Sequence, residues 1–234
     1  MNMLTAAGAA IAVVFGAVSA AQAATVDLDA SSRGCVIETG AYGCGNSGLP
    51  SGNVLTGHHI GHDYRSFFVF DLSALSGTVA SATFSLQLDN QLGYDSPDAS
   101  EFLAFFALSE DSINKLLADT PDVGVFDDMG TGINLGGPSL TAADNGTIVT
   151  FALGPLWIDA INAALGGNLG VGGLLASYSG VNPEESVLGA SLDQMFRLSL
   201  NFEETTAVPL PAALPLFIAG LGGLGFAGRR RKAA

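Results

Sequence analysis

The sequence predicts an all-β domain, an antiparallel β-sandwich interrupted by two short helices, with an apolar segment at each end of the chain. The main observation is that two segments far apart in the chain alternate apolar and polar residues, which is typical of strands with one buried face. Their apolar faces consist of Ala82, Phe84, Leu86 and Leu88 in the first segment and Phe196, Leu198, Leu200 and Phe202 in the second.

The remaining strands are predicted from apolar runs bounded by Gly, Asn, Asp and Pro. The continuous run Phe67 to Phe70, within Tyr64 to Leu72, indicates a central strand covered on both faces. Further strands are expected at Val26 to Ala30, Phe102 to Leu108, Val123 to Phe126, Thr147 to Leu153, Leu169 to Tyr178 and Ser186 to Ala190.

Two helices are expected between the strands. The first, Asp111 to Asp119, has Ser109 available as its N-cap. The second, Pro155 to Leu165, begins with proline in its first turn and stops at two glycines. Its apolar stripe includes Trp157, which is therefore predicted to lie in the core rather than on a binding surface.

Charge is distributed unevenly along the 234 residues, whose formal net charge is −14. All 22 Asp and Glu residues lie between Asp27 and Glu204, within a middle region, residues 24–205, that suits one sandwich domain. An acidic surface repels phosphate backbones, so nucleic acid is not an expected partner.

The N-terminal residues 1–23 are predicted to be a signal peptide. The apolar run Ala6 to Val18 has the length of a signal-peptide core, and Ala21-Gln22-Ala23 is a small-x-small cleavage site. The alternative is a buried N-terminal helix, which would show polar positions at a 3.6-residue period.

The C-terminal residues 206–234 combine a proline motif, an apolar stretch and a basic cluster. The motif is Val208, Pro209, Leu210, Pro211 and Ala212, and the cluster is Arg229, Arg230, Arg231 and Lys232. About twenty residues span about 30 Å as a helix, which predicts a transmembrane helix with the basic cluster on the cytoplasmic side. A plain tail anchor without processing is the alternative.

This C-terminal layout resembles the PEP-CTERM sorting signals, in the variant named VPLPA-CTERM. In that variant a leucine, here Leu210, occupies the place of the family's usual glutamate. The resemblance implies anchoring in the inner membrane, processing by a membrane-embedded exosortase, display at the cell surface, and association with extracellular polysaccharide.

The middle of the chain resembles jelly-roll modules of the DNRLRE type. The matching segments are Phe67 to Leu72 with the following Ser76 to Thr83, then Val149 to Phe151, and then Asn168 to Leu175. The resemblance implies a jelly-roll sandwich that serves as a structural or binding unit on a cell surface.

Cys35 and Cys44 are the only cysteines, and they lie close together in a Gly-rich segment of a chain predicted to be exported. A disulfide is therefore expected. A reactive thiol is the alternative, although no helix terminus or basic partner is apparent that would lower its pKa.

Two groups of residues are candidates for metal binding. Asp89, Asp95, Asp98 and Glu101 crowd one loop, and carboxylates gathered between strands are suited to calcium, although a solvated acidic loop is the simpler interpretation. His58, His59 and His62, with Asp63, are interpreted as an exposed polar loop rather than a zinc or copper site. Asp127 and Asp128 are interpreted as turn residues.

No nucleophile elbow, phosphate-binding loop or zinc-protease motif is present in the sequence, so an enzyme is not predicted. The favoured hypothesis is a non-catalytic structural or matrix protein that requires no cofactor. One alternative is a calcium-assisted carbohydrate-binding module, with Tyr94 as an exposed aromatic platform. The other is a secreted glycoside hydrolase that uses a pair of carboxylates.

Overall fold

The two alternating segments pair with each other in the computed structural model, which describes residues 24–45, 52–178, 184–189 and 194–203. β5 (Val79–Gln87) runs antiparallel to β13 (Phe196–Phe202), with Phe84 opposite Leu198 and Leu86 opposite Phe196. Their alternate apolar residues point to the same side and are buried, except that Phe202 is half-buried. The alternation therefore predicted both strands and their buried face.

A four-stranded sheet forms around this pair. β1 (Thr25–Asp29) lies beside β13, and β10 (Ile148–Ala152) lies beside β5, so that the order is β1-β13-β5-β10. All three pairings are antiparallel.

The second sheet is also antiparallel, and its strands are β2 (Ser32–Ile37), β3 (Thr56–His59), β4 (His62–Asp71), β6 (Tyr94–Asp95), β7 (Glu101–Ala107), β8 (Asn134–Gly136), β9 (Ser139–Leu140), β11 (Asn168–Leu175) and β12 (Glu185–Val187). Their order is β6-β12-β3-β4-β11-β7-β8, with β2 paired to β4 and β9 paired to β7. Together the two sheets form a sandwich-like arrangement with a curled half-barrel.

Strand β4 is covered on both faces, as the continuous apolar run predicts. Phe68 and Phe70 belong to the main core between the two sheets. Phe67 and Val69 point the other way, into a second apolar cluster under the helices that cover this sheet. All four side chains are completely buried.

The two predicted helices are present. α1 (Glu110–Leu117) is capped by Ser109, whose Oγ accepts a hydrogen bond from the Ser112 backbone N–H at 3.3 Å. α3 (Pro155–Ala164) begins with proline and ends just before Gly166, which adopts a φ of 83°. Trp157 on α3 is buried in the main core, as predicted.

The predicted strand at Val123 to Phe126 is wrong, because these residues begin a third helix. α2 (Val123–Thr131) starts after Asp122, whose Oδ1 accepts a hydrogen bond from the Val125 backbone N–H at 3.0 Å. Val125, Phe126 and Met129 are buried on one helical face. Four apolar residues are too few to distinguish a strand from a buried helical turn, and here tertiary packing decided the outcome.

The interpretation of Asp127 and Asp128 as turn residues is also wrong, because both lie within α2. Asp128 instead connects two helices: its Oδ2 accepts hydrogen bonds from the backbone N–H and the hydroxyl of Ser109, at 2.8 and 2.9 Å. The two predicted helices thus become three α-helices in the described part of the chain, with one short 3₁₀ turn, Ala142–Asp144.

The predicted terminal segments, 1–23 and 206–234, lie outside the described residues. Residues Ala23–Glu203 form one compact unit, and the predicted domain bounds, 24–205, stay a prediction. Within the described ranges, no helix combines the length and the apolarity that crossing a membrane requires.

Aromatic packing in the main core centres on Phe84. Its ring centroid lies 5.5 Å from those of Phe68 and Phe105, 5.7 Å from Phe70 and 5.9 Å from Trp157.

We expect Trp157→Ala to lower the free energy of unfolding by about 3–5 kcal/mol, because it leaves a large cavity against these rings. Urea denaturation followed by far-UV circular dichroism measures the change.

The matched control is Leu156→Ala. Leu156 precedes Trp157 on the same helix but is 52% exposed. Its truncation should change the free energy of unfolding by less than about 0.5 kcal/mol. Similar losses for the two variants would contradict the placement of Trp157 in the core.

Candidate functional site

Three carboxylates from different parts of the chain meet at one end of the larger sheet. Asp98 precedes β7, Glu101 begins β7, and Glu185 begins β12. One carboxylate oxygen from each lies within 4.8 Å of the others. We refer to Asp98, Glu101 and Glu185 as the carboxylate cluster.

Two of the four residues predicted to bind calcium therefore come together, and two lie apart from the cluster. Asp89 serves a turn, because its Oδ1 accepts hydrogen bonds from the backbone N–H groups of Gln91 and Leu92, at 2.8 and 3.0 Å. These hydrogen bonds, led by the one from Leu92, hold the pKa of Asp89 below its usual value. Asp95 lies in β6, opposite Ser186 of β12.

The sequence did not identify Glu185 as a candidate metal ligand. In the structure its side chain is completely buried in the cluster. It reaches this position because β12 pairs with β3 on one side and with β6 on the other. Both pairings join segments distant in the chain, and the local pattern around Glu185 carries no sign of them.

The surroundings of the cluster are polar on the Glu101 side. Glu101 is completely buried; Ser96 donates its hydroxyl to Oε1 at 2.6 Å, and Ser177 donates its hydroxyl to Oε2. Asp98 is exposed, whereas Glu101 and Glu185 are completely buried, so a cation bound here would add positive charge to an acidic and mostly desolvated cluster. Carboxylate oxygens are the donors that Ca²⁺ prefers, and the donor set therefore fits this ion.

Tyr94 does not form the exposed platform that was predicted. Its side chain is buried, and its hydroxyl donates a hydrogen bond to the Asp98 backbone carbonyl at 2.6 Å. Burial raises the pKa of its phenol above the ordinary value. Tyr94 thus fixes the backbone of the loop that carries Asp98.

The three histidines lie on a β-hairpin rather than in a loop. His58 and His59 belong to β3, His62 belongs to β4, and Ile60 and Gly61 form the tight turn between them with φ angles of 48° and 75°. Positive φ at both central residues is the geometry that suits a two-residue hairpin. We refer to residues 58–63 as the histidine hairpin.

Each histidine faces a different carboxylate. Nδ1 of His58 lies 2.7 Å from Asp63, Nδ1 of His59 lies 2.6 Å from Glu184, and Nδ1 of His62 lies 2.8 Å from Glu38. The rings are therefore held separately and do not converge on one centre. His58 and His59 are half-buried and His62 is exposed, so the predicted exposed loop is corrected to a partly buried hairpin.

The predicted disulfide between Cys35 and Cys44 is confirmed, with the two Cα atoms 5.6 Å apart. It closes a turn in which the Ile37 backbone N–H donates to the Ala41 carbonyl at 2.9 Å. Because Cys35 lies in β2 and is completely buried, the bond ties this turn to the central strands of the larger sheet.

In comparisons with known proteins, the chain matches no family model and no curated protein. The two resemblances noted in the sequence therefore remain predictions, and the function has to be argued from residues and geometry.

The pair between His62 and Glu38 predicts a pH dependence. Burial alone would raise the pKa of Glu38, but hydrogen bonds, first that of His62, outweigh it and hold this pKa below its ordinary value of 4.5. A carboxylate with a lowered pKa stabilises the fold above its unfolded-state pKa, and this stabilisation is lost as the pH falls through the folded-state value.

We therefore expect Glu38→Gln to melt at a lower temperature than the parent chain at pH 6, with the difference shrinking as the pH falls below 4.5. His62→Gln should show the same convergence, because it removes the same pair. Thermal melts at several pH values measure the difference. A difference that stays constant across this range would contradict the role of Glu38.

Proposed function

We propose that this chain is an exported, surface-sorted, non-catalytic structural or matrix protein associated with extracellular polysaccharide. Its C-terminal segment is anchored in the inner membrane and then recognised and processed by an exosortase. The observation that carries the proposal is the C-terminal segment itself, in which the motif Val208 to Ala212 precedes an apolar stretch and the cluster Arg229 to Lys232.

The disulfide supports export. Disulfides form and persist in oxidising compartments outside the cytoplasm, and the two cysteines of this chain are joined. The net charge of −14 supports a location among hydrated anionic polymers or divalent cations rather than on nucleic acid.

The strand pairing supports assignment of the domain to the jelly-roll type, which is part of the same proposal. Two of the segments that carry the resemblance, Phe67 to Leu72 and Asn168 to Leu175, contain neighbouring antiparallel strands. A third, Val149 to Phe151, lies in β10 of the opposite sheet. The matching segments therefore belong to both layers of one core.

The carboxylate geometry supports the non-catalytic part of the proposal. Glu101 and Glu185 are close enough to act as a pair, but both are completely buried. A glycosidic bond must reach both carboxyl groups of a hydrolase, and here neither of the two is accessible to solvent. The hydrolase hypothesis would need a different pair of acids.

Mass spectrometry of the mature protein from its native host tests export and sorting together. We expect an N-terminus near Ala24, because signal peptidase cuts after small residues, and a C-terminus near Pro211, because the extended proline motif offers a protease site. A full-length chain recovered uncut from the cytosol would refute the proposal.

A pair of variants tests the role of the motif. Pro209→Ala combined with Pro211→Ala should leave the C-terminus uncut and the chain in the membrane fraction. Pro215→Ala, which changes a proline outside the motif, should be processed like the parent chain. Equal processing of all three chains would show that the motif is not what the exosortase recognises.

The carboxylate cluster favours a second candidate function, a calcium-assisted carbohydrate-binding module. Asp98, Glu101 and Glu185 would hold the ion, which would neutralise the buried carboxylates and join β7 to β12. The ion would thereby order the loop that carries Asp98 and Tyr94.

We expect millimolar Ca²⁺ to raise the melting temperature of the parent chain, because an ion that binds only the folded state stabilises it. Glu185→Gln should abolish this rise, because it removes one carboxylate of the cluster. Asp89→Asn, from the turn beside the cluster, should retain it. Differential scanning calorimetry with calcium and with a chelator measures the shift.

A rise of equal size in all three chains would place calcium elsewhere on the acidic surface. A glycan array with and without calcium then tests the carbohydrate-binding step. The absence of any calcium-dependent glycan signal would leave the structural function as the proposal.

A further inference from the structure

The free edge of β10 exposes a row of backbone hydrogen-bonding groups. The Leu153 N–H donates to the Ala82 carbonyl and the Leu88 N–H donates to the Thr147 carbonyl, each at 3.0 Å. Hydrogen-bonded pairs recur at every second residue of an antiparallel ladder. The N–H and C=O groups of the odd-numbered residues of β10 therefore point toward β5. Ile148, Thr150 and Ala152 therefore direct their N–H and C=O groups away from β5, and all three are exposed.

β10 is also an uncharged edge. Its sequence is Ile-Val-Thr-Phe-Ala, and within the described ranges its only paired neighbour is β5. On the outer face of this pair the exposed Thr150 hydroxyl lies 2.8 Å from that of Ser85. A five-residue edge without charge, bulge or proline is open to another strand.

The other edges of the two sheets are protected. On β1, the Ala24 carbonyl and the Ala30 N–H bond to β13, so the opposite edge belongs to Thr25, Asp27 and Asp29. The Asp29 carboxylate forms an ion pair with Arg197 at 2.9 Å, so Asp27 is the charge that opposes pairing with a like strand. In the larger sheet, β6, β8 and β9 have only two or three residues, and β2, which pairs with β4, is buried along almost all of its length.

We propose that β10 is the edge at which a second copy of this chain pairs, antiparallel, β10 against β10, with the two-fold axis at Thr150. Thr150 then lies opposite Thr150 of the second copy, and Ile148 lies opposite Ala152 of the second copy. The outward N–H and C=O groups of these three residues form six hydrogen bonds across the axis. The two small sheets become one continuous eight-stranded sheet.

Symmetry favours a second copy as the partner, and charge favours this edge. Two molecules that each carry a net charge of −14 repel one another, so they approach best where the local charge is zero. β10 meets this condition, and an antiparallel pairing with itself is symmetric and closed. The same pairing through β1 would place Asp27 opposite Asp27 of the second copy, which is unfavourable.

The side chains of β10 fit this register. Ile148, which is 53% exposed, lies opposite the small Ala152 of the second copy, so the pairing covers apolar surface without a clash between bulky groups. The interface extends over one strand of five residues, which is below the usual size of a permanent dimer. We therefore expect a concentration-dependent dimer.

Disulfide trapping in the full-length chain, purified in detergent, tests the register. Paired residues in a hydrogen-bonded position of an antiparallel ladder have Cα atoms about 5.5 Å apart, which a disulfide can bridge. Thr150→Cys should thus form a linked dimer under mild oxidation. Ile148→Cys alone and Ala152→Cys alone should remain monomeric, whereas an equimolar mixture of the two should form a linked dimer.

Thr25→Cys on β1 is the matched control, because it is also exposed at a free edge and leaves Asp27 in place, and it should remain monomeric. The register is refuted if Thr150→Cys forms no more dimer than Thr25→Cys, or if the single Ile148 and Ala152 variants link as well as their mixture. Mass spectrometry of the linked peptides would distinguish dimers joined through the introduced cysteines from dimers formed by disulfide exchange with Cys35 and Cys44.

Thr150→Pro tests the hydrogen bonds at the axis. The Thr150 N–H makes no ladder bond to β5, and proline is tolerated on an edge strand when its nitrogen faces outward. We expect this variant to keep its melting temperature and to lose the concentration-dependent rise in sedimentation coefficient that the parent chain shows. A parent chain that sediments as a monomer at all concentrations, or a Thr150→Pro variant that still dimerises, would refute the proposal.

Discussion

The architecture depends on a single strand that is buried on both faces. β4 places Phe68 and Phe70 in the core between the sheets and places Phe67 and Val69 against the helices. Burial of each such side chain contributes about 1.5–3 kcal/mol to the free energy of unfolding. Because these side chains alternate between the two faces, the strand joins two apolar clusters that would otherwise be separate. The remaining layers are arranged around it: the four-stranded sheet on one side, and α1 and α2 on the other.

The helical layer can approach this sheet because β11, the neighbour of β4, carries glycine on the helix side. A Cβ atom at Gly172 would lie 2.5 Å from Cα of Met129 in α2, and one at Gly170 would lie 2.4 Å from the Ile113 side chain in α1. Any larger residue would force the helices outward. On its other face the same strand presents Leu169 and Val171 to the main core. From Leu169 to Gly172, β11 thus alternates bulky apolar residues with glycine, rather than apolar residues with polar ones.

Local patterns in the sequence predicted those features that local physics determines. Alternation placed β5 and β13 correctly, the cap at Ser109 and the proline at position 155 located two helices, and the two cysteines identified the disulfide. Each of these signals arises from residues within one element or one short loop.

Features set by distant contacts were not predictable in the same way. The segment beginning at Val123 contains a short apolar run that fits a strand as well as a helix. The glycines of β11 leave space for a helix to pack closely against the sheet there, and the segment forms α2. Glu185 joins the carboxylate cluster only because β12 lies between β3 and β6. Asp98 and Glu101 come together without such a contact, because they lie on one continuous segment, and calcium binding by them stays a prediction.

The carboxylate cluster gathers negatively charged groups, whereas the free edge of β10 carries no charged group. At the cluster, carboxyl groups from three parts of the chain are brought within 4.8 Å of one another, and two of the three are withdrawn from water. At β10, charge is absent although 22 acidic residues are spread over the rest of the domain. Mutual repulsion between such molecules is weakest where charge is missing or neutralised. The pairing proposed for β10 would therefore bring two of these acidic molecules together in one defined orientation.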